Sequence, residues 1–155
     1  MFTSFRGLIV SAALLLPASA GVACGASAPL VAVDAIAADH LEVVRGEERV
    51  ADTTLDHIRG LEATILQEGE LRAEGIPLTA LLDDLKIDRR GLSAVEAIGS
   101  DGYSMRLSPE TIADPQTLVI FAINGDALAE HRGPLRLHTA ERSTSVRNLR
   151  RLVLH

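Results

Sequence analysis

Few side chains in this sequence are of a kind that does chemistry alone, and their spacing narrows the field. Cysteine occurs once, at Cys24, so neither an internal disulfide nor a paired thiolate site can form. Of the five histidines, His131 and His138 stand seven residues apart across Gly133-Pro134. That break keeps them off one helical face, so a metal site from His131, His138 and His155 would need the fold to gather them. Asp83-Asp84 offers adjacent carboxylates, but both flank a leucine stripe on its exposed side and read as a solvated face. There is no Gly-x-Ser-x-Gly elbow and no phosphate loop ending in Gly-Lys-Ser/Thr. What remains is recognition. Arg136 and Arg147 carry guanidinium forks suited to phosphate or carboxylate, unless each makes an ordinary surface ion pair. Asp101 and Tyr103 flank Gly102 and bring polar groups to a loop end.

The elements that must position these residues are legible in part. Leu41 to Arg45 has the β-branched content of a strand closed by Gly46, and Thr54 reads as the cap of a short helix through Ile58. Leu61 to Gln67 alternates imperfectly as a strand. Gly75 to Leu85 reads as the clearest helix, with Pro77 in its first turn and Leu78, Leu81, Leu82 and Leu85 on one buried stripe. Ala94 to Ile98 and Tyr103 to Leu107 form a hairpin turned at Asp101-Gly102. Pro109 opens a helical turn. Thr117 to Ile123 is an apolar run expected of a central strand buried on both faces, followed by a tight turn at Asn124-Gly125. Leu135 to His138 and Leu149 to Leu154 are further strands. This order specifies an α+β domain with a mixed, mainly antiparallel sheet and short helices.

Charge and composition exclude one class of partner. The chain carries a formal charge of −6, and besides Phe2 and Phe5 its only aromatics are Tyr103 and Phe121. Neither a cationic phosphate-binding surface nor an aromatic stacking platform is present, so no nucleic-acid partner is expected. The acidic residues crowd before Gly102, while the part after it carries a small positive excess, which could mark an anion-binding end.

The N-terminus reads as an export signal over residues 1–20. Arg6 gives a positive start, Gly7 to Leu16 is apolar, and Ala18-Ser19-Ala20 supplies small residues for cleavage. The apolar run is shorter than the about 20 residues that span a bilayer, so no transmembrane segment is expected after its removal. Residues 21–40 form an extended lead-in, and 41–155 form one domain. The expected location is periplasmic or secreted. Gly21 stands where a lipoprotein signal has Leu, which argues against anchoring at Cys24.

Four pieces of the chain together resemble the molybdopterin-binding domain of sulfite-oxidase-type oxidoreductases. Gly75-Ile76-Pro77-Leu78 with Leu81-Leu82 is similar to the Gly-x-Pro-Leu-x-x-Leu-Leu element of that family. Ser100-Asp101-Gly102-Tyr103 resembles its Asp-Gly-Tyr turn, and Asn124-Gly125 with Leu128 its Asn/Asp-Gly-x-x-Leu element. Gly133-Pro134-Leu135-Arg136-Leu137, then Val146-Arg147-Asn148-Leu149, resembles Gly-x-Pro-x-Arg-Leu followed by Val-Lys-Trp-Leu. The resemblance implies a sulfite-oxidase-like fold and a cofactor phosphate held by cations near Arg136 and Arg147. The departures matter more. The family places a molybdenum-binding cysteine ahead of Gly-x-Pro-Leu, whereas Leu61 to Arg72 contains none. Neither Thr64 nor Glu68 replaces a soft thiolate. Arg147 stands for the usual Lys and Asn148 for Trp. The expectation is a non-catalytic module with no cofactor, binding a small anionic ligand or an envelope protein through Asp101, Tyr103, Arg136 and Arg147. The alternative is a molybdopterin-dependent oxidoreductase with incomplete protein ligation of the metal.

Overall fold

A computed structural model describes residues 30–141 and 145–155 of the 155-residue chain. The export signal and Cys24 lie outside the described residues. Among the described residues, no helix is long and apolar enough to cross a membrane.

Two sheets share one core. The first runs β2 (Glu48–Thr54), β1 (His40–Arg45), β11 (Leu149–Leu154), β5 (Val95–Gly99), β6 (Ser104–Leu107). The second runs β10 (Ser145–Val146), β9 (Arg136–His138), β7 (Leu118–Ile123), β4 (Leu71–Pro77), β3 (Thr64–Glu68), with β8 (Asp126–Ala127) also paired to β7. All pairings are antiparallel except β1 with β11. Leu41, Val43, Val95 and Leu152 from the first sheet meet Ile76, Val119, Phe121 and Leu137 from the second in one apolar cluster. The two inner faces therefore pack on each other, as amphipathic sheets must to bury their apolar sides. The core is aliphatic, with Phe121 its one aromatic. The fold class is the expected α+β.

Short helices complete the core. α1 (Leu55–Arg59) buries Ile58 and is capped by Thr54, whose hydroxyl accepts the His57 N–H. α2 (Leu78–Asp84) buries Leu78, Leu81 and Leu82, with Leu85 packed beside them. α3 (Pro109–Ala113) starts at Pro109 behind a Ser108 cap. His57 Nε2 meets Asp84 at 2.7 Å and ties α1 to α2, while Asp83 pairs with Arg89 at 2.7 Å. The two adjacent carboxylates are thus separate surface ion pairs.

Three expectations need correction. Gly75-Ile76-Pro77 belongs to β4, and Pro77 is the residue before the helix, not a member of its first turn. Its missing N–H costs nothing at the last position of a strand, and Gly75 lies so close to β7 that a Cβ would sit 2.7 Å from Val119 O. Strand β3 begins at Thr64, with Leu61 packed against the main core ahead of it. β2, β8 and β10 were not anticipated, because β2 is polar and half exposed and the other two are two residues long.

The lead-in is fastened to the first sheet. On either side of a 3-10 turn at Val33–Ala35, Val31 O accepts from Arg151 and Ala38 O from Arg150. Arg151 also meets Glu42, its register partner across the parallel strands, at 2.6 Å. Both are nearly buried, at 8% and 3% exposure.

Candidate functional site

Three of the motif pieces meet through the backbone. The Asn148 N–H donates to Arg132 O at 2.8 Å, and the Leu149 N–H to Leu135 O at 2.9 Å. The Ser100 N–H donates to Asn148 O at 2.9 Å, and Asn148 Nδ2 donates to Ser100 Oγ at 2.6 Å. Asn148 can do this because it adopts a left-handed backbone, φ 50°, which Asn tolerates. Gly133, also left-handed at φ 70°, lies against it so tightly that a Cβ would come 2.5 Å from Asn148 Cα. Loops 99–103, 132–135 and 146–149 are thereby locked together, which explains why their glycines and Asn148 stand where they do.

The locked loops carry Asp101, Tyr103 and Arg147 and lead into Arg136 on β9, but they do not aim the four at one point. The β5–β6 hairpin is turned by three residues, Ser100 to Gly102, with Gly102 at φ 80° as the left-handed third position. Asp101 is spent inside that turn, where it accepts the Tyr103 N–H at 3.0 Å. Tyr103 stands 48% exposed at the surface. Arg147 is exposed on the turn between β10 and β11, not on a strand.

Arg136 differs from these. It is half-buried on β9, and its Nε is buried without a hydrogen-bond partner among the described residues. Burial lowers its pKa first, and the nearby charges of Arg147 and Arg132 lower it further, with Glu68 acting in the opposite direction. Nothing in the sequence pattern marks out Arg132. It sits in a 3-10 turn and joins the cluster because Asn148 holds its carbonyl.

Beside Arg136 lies a hollow of about 120 Å³ on the outer face of the second sheet, reaching Leu66, Glu68 and Leu71 on the β3–β4 hairpin. His138, 8% exposed, stands two residues along β9 with Nε2 3.6 Å from Glu68 Oε1. Burial pushes the His138 pKa below the ordinary value, opposed by Glu68 and reinforced by Arg136. His131 and His155 are not in this group. His155 instead faces Glu96 at 3.6 Å. The metal trio considered from sequence is therefore not assembled.

The residues lining this hollow offer no thiolate to a molybdenum–pterin group. The hollow adjoins the stretch Leu61 to Arg72, where the resemblance would put a cysteine, yet no thiol occurs there. Among the described residues, no three His, Cys, Asp or Glu side chains are grouped to hold a metal. The hollow is also below the about 300–1,000 Å³ of pockets that enclose large ligands.

No family profile matches this sequence, and no curated protein matches it. Among solved structures, the chain is similar to the crystal structure of the sulfane dehydrogenase SoxCD from Paracoccus pantotrophus. The TM-score is 0.62 at 20% identity, over 77% of this chain and 39% of that one. The likeness is one of fold, and it agrees with the expected sulfite-oxidase-like architecture.

Proposed function

We propose that this chain is an exported binding module that uses a sulfite-oxidase-like fold without molybdenum catalysis and takes a small anionic ligand at its arginine end. One observation carries the reading. Arg136 is drawn out of water among Arg132 and Arg147, with a buried Nε that meets no partner among the described residues. A partly desolvated cation with an unbonded Nε and two like charges nearby, opposed only by the exposed Glu68, is costly to keep, and an arriving anion relieves both the desolvation and the repulsion. Charge-assisted bonds of this kind contribute about 1.5–3 kcal/mol each. Export rests on the pattern of residues 1–20, and the periplasm or the medium is the proposed location.

The rival reading, a molybdopterin oxidoreductase with incomplete protein ligation, draws its support from the fold shared with a sulfane dehydrogenase. Metal and pterin analysis of protein purified from its native compartment separates the two. The module should contain far less than one molybdenum per chain and release no fluorescent pterin on oxidation. Near-stoichiometric molybdenum with a released pterin would refute it.

A further inference from the structure

The hollow beside Arg136 has an apolar floor as well as a charge, and the combination specifies more than an anion. On the outer face of the second sheet, Ala73, Leu118, Ile120 and Leu128 form a second apolar cluster, apart from the main core. Ala73 pairs in register with Leu66 on one side and Ile123 on the other. A methyl between two long side chains leaves a depression, and all three residues line the hollow. Arg136 pairs in register with Ile120, so its guanidinium stem borders that floor. His138 and Glu68 complete the rim.

We propose that this hollow binds a short-chain monocarboxylate, with the carboxylate on Arg136 and the alkyl tail over Ala73 and Ile120. The inference deepens the anion-binding reading above and rests on it. Size sets the tail. A cavity of about 150 Å³ accepts benzene, a molecule of six heavy atoms, so about 120 Å³ admits a chain of roughly three to five carbons. Chemistry sets the head. The floor offers no donor to the several oxygens of phosphate or sulfate, while a carboxylate needs only the guanidinium edge. Glu68 at the rim repels a second negative charge, which selects a monoanion over a dianion. His138 beside it, its pKa lowered by burial, supplies a ring nitrogen.

The purified protein is titrated with butyrate, butyramide and inorganic phosphate at constant ionic strength, followed by methyl and amide NMR. Butyrate should saturably shift the Ala73 and Ile120 methyl signals, and butyramide should bind at least about tenfold more weakly. Arg136→Gln should lower butyrate affinity about tenfold with the rest of the spectrum unchanged. Glu68→Gln, on an exposed side chain, should raise butyrate affinity severalfold. Phosphate that shifts Arg132 and Arg147 amides while butyrate leaves Ala73 and Ile120 unmoved would overturn the carboxylate assignment and keep the anion reading. Butyrate binding that ignores Arg136→Gln overturns the assignment too. If neither anion shifts any signal, both readings fall.

Discussion

Arg151 and Arg136 stand on the two sheets of one molecule, and both are withdrawn from water, yet they end in opposite electrostatic states. Arg151 meets the carboxylate of Glu42 through Nε at 2.8 Å and Nη2 at 2.6 Å, and Val31 O takes a further bond. Arg49 adds a second cation near the other Glu42 oxygen at 3.6 Å. Arg136 has a buried, unpartnered Nε, two like charges for neighbours and only the exposed Glu68 against them. A buried cation with its polar atoms matched is architecture, because removing either partner strands a charge. A half-buried cation left unmatched lowers stability, and folds keep such groups where a ligand uses them.

The largest expected effect lies on the first sheet. Glu42→Ala leaves Arg151 buried without its counter-charge and should destabilise the protein by about 3–5 kcal/mol, read from urea unfolding. A loss near zero would erase the contrast between the two arginines. Next comes the lock that orients the second sheet's arginine end. Gly133→Ala forces a Cβ against Asn148 in a left-handed backbone and should cost about 2–4 kcal/mol. Gly102→Ala has the same backbone strain, but its Cβ meets nothing within 4 Å, so about 1 kcal/mol is expected. Equal losses at the two glycines would show that Asn148 does not crowd Gly133.

A smaller effect is a slope with pH. His138 has its pKa lowered by burial, so the unfolded chain takes up a proton before the folded one. Stability should be complete above the ordinary histidine value of about 6.5 and decline as pH falls through it. His138→Gln should flatten that decline in unfolding curves collected across the same range. An unchanged slope would remove His138 from the group around Arg136.

Much of the fold was legible because local pattern and burial agree. Thr117 to Ile123 reads as a strand buried on both faces, and β7 within it is the centre of the second sheet, flanked by β4 and β9. Thr54 and Ser108 announce the helices they cap, and Pro109 opens the second of these. The stretch before α2 misled because Gly-x-Pro beside a leucine stripe also fits a helix start, and only the contact with β7 makes it strand. β2 is polar along most of its length, so its identity depends on pairing with β1. The site was less legible. Arg136 stood out through its motif, but its unmatched Nε is a tertiary fact, as is the Glu42–Arg151 pair between residues 109 apart in sequence. Asp101 and Tyr103 were chosen for their types, and their turn uses the first within itself and leaves the second at the surface.

The contrast between the two arginines is tested most directly by the unfolding free energy of Arg136→Met beside the wild type, without added anions. Methionine keeps the stem's contact with the apolar floor and removes the desolvated charge. The variant should be as stable as the wild type or up to about 1 kcal/mol more stable, since an unmatched cation opposes folding. A loss of about 2 kcal/mol or more would make Arg136 a structural cation like Arg151 and contradict its reservation for a ligand.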